Sequence, residues 1–203
     1  MMRIGLTGGI AAGKSVVAAR LVDLGAVLID SDAIVRQLQA PGQAGLEAIV
    51  AEFGPRMLTA AGDLDRQALG AVVFDDDAAR ARLNAVIHPL VRQQSTDLVQ
   101  KTLAERGEDV VFVHDIPLLV ETGQAGDFDL VLVVEAPREL RIQRMVQRRG
   151  MAEAEAAARI DAQATDAQRR VAADDLLIND GTTEELVDAV DEWWRRRVGE
   201  PRL

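Results

Sequence analysis

The sequence predicts an α/β fold built on a parallel sheet, and three observations carry that expectation. Five short apolar, β-branched runs stand out: "RIGLTG" (3–8), "AVLID" (26–30), "VVFVHDI" (110–116), "LVLVVEA" (130–136) and "DLLIND" (175–180). They are nearly continuous in apolar character, as strands buried on both faces of a parallel sheet are, where half-exposed strands would alternate. Helical patterns lie between several of them, which implies right-handed crossovers. The first run leads directly into "GGIAAGKS", a glycine-rich turn that opens a helix.

That turn is the most specific local signal. Gly8, Gly13, Lys14 and Ser15 fit the pattern G-x-x-x-x-G-K-[ST], which this composition would produce by chance in about one chain in a thousand. A strand, a loop and a helix give the pattern its physics: backbone N–H groups and the helix N-terminus wrap phosphates. Lys14 would reach the β- and γ-phosphates, and the Ser15 hydroxyl would hold Mg²⁺. Of 23 basic residues only Lys14 and Lys101 are lysine, so a lysine kept at position 14 points to a required compact ammonium. Ala11 stands where such loops often carry glycine at positive φ. Alanine there costs roughly 1 kcal/mol if the conformation is kept, and it removes no N–H donor. Either Ala11 adopts a positive φ or the loop is reshaped.

The remaining elements follow in order. Residues 14–24 show helical spacing and stop at Gly25. The second run ends in "LIDSD", where Asp30 or Ser31 suits a helix N-cap and Asp32 suits accepting a proton from, or orienting, a substrate hydroxyl. Residues 31–100 look wholly helical, broken at "APGQAG" and "TAAGD", and are read as an inserted lobe. Within it Arg66 and Arg92 suit the phosphates of an acceptor, and His88 precedes a proline. The third run ends in Asp115, a strand-end acid suited to hold Mg²⁺ through water. His114, inside that run, reads as structural. Residues 138–170 are arginine-rich and helical, a lid whose Arg141, Arg144 and Arg148 share one helical face. Arginines closing over a transferring phosphoryl group stabilise its developing charge. A final helix, 184–197, carries Leu186, Val187, Val190, Trp193 and Trp194 on one face after a Thr182/Glu185 capping box. The tryptophan pair is expected to give helix packing plus one partly exposed ring.

Composition narrows the function classes. The chain has no cysteine and two histidines, so thiolate and His-rich metal centres are excluded. A formal net charge of -10 argues against non-specific nucleic-acid and anionic-membrane binding. Aromatics are 3% of the chain, too few for single-strand stacking platforms. No signal peptide and no long apolar stretch is visible, so a soluble cytoplasmic protein is expected.

Taken together, "GLTGGIAAGKS", "LIDSDAIVR", "DRQALGAVVF", "LNAVIHPLVR", "HDIPLLVE", "LVLVVEAPRELRIQRMVQRRGM", "ARIDAQ" and "AADDLLINDG" resemble the dephospho-CoA kinase family over nearly the whole chain. The resemblance implies one P-loop kinase domain over 1–203: a five-stranded parallel core (1–30, 101–137 and 171–203) flanked by helices, a helical acceptor-binding lobe (31–100) and a helical lid (138–170). It implies transfer of the ATP γ-phosphate to the ribose 3′-hydroxyl of dephospho-CoA, giving coenzyme A and ADP, with Mg²⁺. Asp32, Lys14 and Arg144 match the catalytic positions. Gly8, Gly9, Ile10, Ala11, Ala12, Gly13, Lys14, Ser15 and Val16 match the ATP loop, with Arg148, Asn179 and Gly181 beside it. Asp32, Arg66, His88, Pro89, Arg92, Asp115 and Leu118 match the acceptor side, and Ser15 and Asp115 the metal. The implied partners are ATP and dephospho-CoA, without nucleic acid or membrane, and the implied state is a monomer or weak homo-oligomer. The chain departs from the family pattern in "AAGKS" for "GSGKS", in Ser31 for alanine, and in Val120 for a phenylalanine that could touch the acceptor.

Other classes fit less well. Another small-metabolite or nucleoside monophosphate kinase would share the scaffold but not the lobe motifs. A GTPase switch would need a guanine-reading segment such as N-K-x-D, which is missing. A nucleotide-binding regulator without turnover would not need Asp32, Lys14, Ser15 and Asp115 together.

Overall fold

The computed structural model describes residues 1–74 and 76–199. The last four residues of the expected core segment, 200–203, lie outside the described residues. In chain order the elements are β1 (Met2–Gly8), α1 (Lys14–Asp23), β2 (Val27–Asp30), α2 (Ser31–Leu38), α3 (Ala44–Phe53), α4 (Arg66–Val73) and α5 (Asp77–Arg106). They continue with β3 (Val111–Asp115), β4 (Leu130–Glu135), α6 (Arg138–Arg149), α7 (Glu153–Asp161), α8 (Asp166–Ala172), β5 (Asp175–Ile178) and α9 (Thr183–Arg197). Each strand falls within two residues of its apolar run. Among the described residues no helix is long and apolar enough to cross a membrane.

The chain divides into two compact units, one formed by Met1–Ile29 with Arg106–Leu203 and one by Asp30–Glu105. The first holds a five-stranded sheet of order β2-β3-β1-β4-β5. β1 pairs in parallel with β3 (Leu6 opposite Asp115) and with β4 (Gly8 opposite Val134). The order reverses around β1, and in open α/β sheets ligands bind beyond the strands' carboxyl ends at such a switch. Gly8 and Asp115 are the residues that end β1 and β3.

One sheet face buries Ile4, Leu6, Leu132, Val134 and Leu177 against Val17 and Leu21 of α1 and Leu186, Val190, Trp193 and Trp194 of α9. The capping box expected at Thr182 and Glu185 is present. Both tryptophans are buried, at 1% and 3% exposure, so the partly exposed ring expected of the pair is absent. The reason is that α9 packs against α1 and β5 at once, which widens its buried face beyond a single stripe. The Trp193 indole N–H donates to Asp175 at 2.9 Å, so its polar edge is satisfied inside. Burial alone would raise the Asp175 carboxyl, but hydrogen bonds from Arg197 and Trp193 bring it below its usual range.

On the other face Leu119, Val131 and Val133 pack with Ile116, Val120 and Phe128. His114 lies 5.2 Å from the Phe128 ring, and its Nε2 is buried without a partner. Burial, reinforced by the positive charge of Arg3, lowers its pKa from 6.5 to about 4. The unfolded chain therefore binds a proton that the folded chain refuses between those two values. Stability falls as pH drops through that window, by about 1–2 kcal/mol after allowing for partial solvent access. Equilibrium denaturation at a series of pH values should show a shallower acid loss in His114→Gln than in the unsubstituted protein.

The second unit has its own core of Leu46, Ile49, Phe53, Met57, Leu64, Leu69 and Ile87. Three of its helices start on an aspartate whose carboxylate accepts a backbone N–H three residues on: Asp30 from Ala33, Asp65 from Ala68 and Asp76 from Ala79. Such caps contribute about 1 kcal/mol each. Pro89 lies inside the 30-residue α5, where it leaves the Ala85 carbonyl without its intrahelical donor.

Candidate active site

The phosphate-loop sequence folds into a tight turn between β1 and α1. Ala12 N–H donates to Gly9 O at 3.0 Å and Val16 N–H to Gly13 O at 2.9 Å. Amides in the first turn of a helix have no intrahelical acceptor, so Lys14 and Ser15 offer donors at the positive end of α1. Gly13 has φ 106, and a Cβ there would collide with Asn179 Nδ2. A Cβ on Gly9 would collide with Arg141. Gly13 is required by conformation, whereas at Gly9 a Cβ would displace the end of the Arg141 side chain.

Ala11 has φ 61, the one positive φ among described residues other than glycine. The first of the two expected outcomes is therefore the one found. Its left-handed backbone costs about 1–2 kcal/mol, and its methyl offsets part of that. Ile10 and Ala11 pack against a small core of Met145, Ala156 and Ile160 from α6 and α7. Replacing Ala11 by Gly should relieve the strain and lose that contact, leaving stability within about 1 kcal/mol. Ala11→Val should destabilise by more than that, since a β-branched side chain resists positive φ. Thermal unfolding of the two variants, side by side, measures both.

Side chains from distant stretches hold the loop apex. Arg144 donates to Ala11 O at 3.3 Å and to Asn179 Oδ1 at 3.0 Å. Asn179, just past β5 and 6% exposed, donates through Nδ2 to Ala12 O at 2.7 Å. Ile10 N–H donates to Gln163 Oε1 at 2.8 Å. Burial, with the nearby positive charge of Arg148 second, lowers the Arg144 pKa, so an anion beside it would regain much of what desolvation costs. Lys14 Nζ donates to Asp115 Oδ1 at the head of the sheet. The Ser15 hydroxyl is exposed on the first turn of α1, next to an open cleft lined by Ser15, Val16, Ala19, Arg20, Asp23 and Val187.

The first unit thus brings Gly8–Val16, Asp115, Arg144 and Asn179 together. Arg148 and Gly181 lie exposed at its surface, as does Leu118, whose neighbour Leu119 fills the sheet core. Val120 packs into that same core cluster. Arg141, read with Arg144 and Arg148 as one face, is instead 3% exposed and paired with Asp166 at 3.0 Å. Sequence reasoning missed Gln163, Asp166, Arg169 and Glu121. Arg169, also 3% exposed, pairs with Asp166 at 3.1 Å and lies 3.8 Å from Glu121. Only the Asp166–Arg169 pair has local, i,i+3 spacing; Gln163 is 153 positions from Ile10.

In the second unit Asp32 is exposed on the first turn of α2, and Asp30 fills the cap position. Arg66 donates to Gln39 at the end of α2 at 2.9 Å. His88, Pro89 and Arg92 are exposed on α5. Among the described residues no hydrogen bond or ion pair joins Asp32, His88 and Arg92 to one another.

The family model for dephospho-CoA kinase matches residues 2–185. The chain belongs to the dephospho-CoA kinase family. A dephospho-CoA kinase of Frankia casuarinae is 49% identical over 195 residues, 96% of this chain and 83% of that one. A solved protein of Thermus thermophilus is 34% identical with TM-score 0.79, covering 98% of each chain. The solved dephospho-CoA kinase of Campylobacter jejuni is 25% identical with TM-score 0.63, covering 96% of each. Mycobacterial dephospho-CoA kinases run longer, and this chain spans about half their length. The matched region carries ATP-dependent dephospho-CoA kinase activity, the final step of coenzyme A biosynthesis. The fold expected of that family, an α/β unit on a five-stranded parallel sheet with flanking helices, is the one observed.

Proposed function

We propose that the first unit holds ATP on the loop Gly8–Val16 and that Asp32 of the second unit serves the acceptor hydroxyl. The observation that carries the reading is the Lys14–Asp115 contact at the joined ends of β1 and β3, beside a loop clamped by Arg144 and Asn179. Loop amides and the Lys14 ammonium cradle the β- and γ-phosphates. Arg144, with Arg148 behind it, stabilises charge developing on the transferred group. Asn179 and Gly181 line the adenine side. Arg66, His88, Pro89 and Arg92, with Asp115 and Leu118 on the sheet side, bind dephospho-CoA.

Phosphoryl transfer then needs little covalent chemistry from the protein. The ribose 3′-oxygen forms a bond to the γ-phosphorus, and the bond from that phosphorus to the β–γ bridging oxygen breaks. The hydroxyl proton passes to the Asp32 carboxylate, and ADP leaves. The oxygen donors here suit Mg²⁺: an exposed hydroxyl on Ser15 and one carboxylate on Asp115, the sparse protein set this ion takes when phosphates and water supply the rest. When bound, it would neutralise phosphate charge. The net charge of -10 argues against nucleic-acid and anionic-membrane binding, and small anionic substrates then depend on local positive charge such as Lys14 and Arg144. The enzyme is read as cytoplasmic, a monomer or weak homo-oligomer.

The test is ADP release with ATP and Mg²⁺ over dephospho-CoA, adenosine, AMP and no acceptor. Turnover confined to dephospho-CoA is expected. Turnover confined to AMP would overturn the reading, and binding of ATP with no turnover would make the chain a nucleotide-dependent regulator.

A further inference from the structure

Three consecutive loop residues are each gripped by a different remote side chain, and two of those grips, from Arg144 and Asn179, fall on carbonyls. The third falls on a donor. Ile10 N–H is held by Gln163 Oε1, from the turn between α7 and α8. That turn is itself fixed on its other side: Ala164 N–H donates to Glu121 at 2.8 Å, and Thr165 and Gln168 form a capping box. Just beyond the turn, Asp166 binds both buried arginines, Arg141 and Arg169. Gln163 therefore projects from a segment anchored on the strand-end stretch after β3 and reaches the loop apex. The Ile10 and Ala11 side chains meet α6 and α7 beside it.

We propose that Gln163 is a positioning residue for the kinase reaction: its side-chain carbonyl fixes the Ile10 amide and so sets how the loop apex meets the helices that carry Arg144. It does not touch the reacting atoms. It acts by holding the strained turn at Ala11 in register with Arg144, which a well-oriented phosphate clamp requires. The proposal rests on the reading that this loop binds ATP.

The experiment compares Gln163→Leu, which removes the acceptor at similar size, with Gln163→Glu, which keeps an acceptor oxygen. Steady-state kinetics gives the KM for each substrate, and amide exchange of the peptide covering residues 6–16 reports the loop directly. Gln163→Leu is expected to raise the KM for ATP about fivefold or more, the worth of one hydrogen bond. The KM for dephospho-CoA should stay within about twofold and Tm within a few degrees. Exchange of the loop peptide should quicken in Gln163→Leu and return to the original rate in Gln163→Glu. An unchanged KM for ATP overturns the proposal. So does a rise in both KM values with a large fall in Tm, which marks a general structural role. Lys14→Met is run beside them: if it binds ATP normally, the ATP-site reading itself fails, separately from the Gln163 result.

Discussion

Asp32→Asn should keep ATP binding and lose about 10²-fold or more of kcat, the usual cost of removing a positioned acid–base group. The structure separates this residue from its neighbour in a way that sharpens the expectation. Asp30 and Asp32 flank the start of α2, and either suits a helix cap by residue type. Asp30 takes that task, accepting the Ala33 N–H at 2.8 Å and lying 3.6 Å from Arg36. Asp32 is exposed on the first turn and caps nothing. Asp30→Ala should thus lower stability by about 1 kcal/mol and leave kcat far less changed than Asp32→Asn does. Calorimetric ATP titration beside steady-state kinetics distinguishes the two. Near-normal turnover in Asp32→Asn would remove it from the proposed role.

Lys14→Met should reduce kcat/KM by about 10²–10³-fold, as loss of a preorganised charge at a transferring group does. It should also lower stability by about 1–3 kcal/mol, because Asp115 is left largely buried without its partner. Those two effects are separable. Lys14→Met combined with Asp115→Asn removes the orphaned charge, so stability should recover while activity stays lost. Lys14→Arg should not restore turnover: a planar fork does not replace a compact ammonium in a tight cradle. Denaturation curves and kinetics on the single and double variants decide it, and recovery of activity in the double variant would place the Lys14 contribution in folding alone.

What the sequence made legible, and what it did not, follows from the range of the interactions. β1 to β5 were readable because burial on both faces of a parallel sheet writes itself as a local apolar run. The phosphate loop was readable because its glycines and lysine are fixed by backbone geometry within eight residues, and the Thr182 box because capping acts over three. The burial of Arg141 was not legible, for the opposite reason. Its helix shows an arginine face, but Asp166, the partner that buries it, lies 25 positions away. The burial of both rings of the Trp193–Trp194 pair, where one was expected to be partly exposed, was not legible because α9 packs on α1 and β5 together. Gln163 and Glu121 gave no signal, since nothing in "RIDAQ" or "LLVE" marks a long-range partner. Arg169 lies three residues from Asp166, but that spacing does not by itself mark burial.

The long reach of the loop's anchors bears on synthesis. Residues 6–15 leave the ribosome well before the side chains that shape them: Arg144, Gln163 and Asn179 lie 133 to 167 positions later. β1 also waits for β3 and β4 before either of its edges is paired. A nascent chain holding only the second unit beyond β2 can fold the local helices of that unit, because their contacts are mostly close in sequence. It carries the nucleotide motif as letters without the cradle. Ribosome-bound intermediates should therefore acquire ATP affinity late and abruptly, once "LLIND" has emerged, so that a stalled or incomplete product does not sequester ATP.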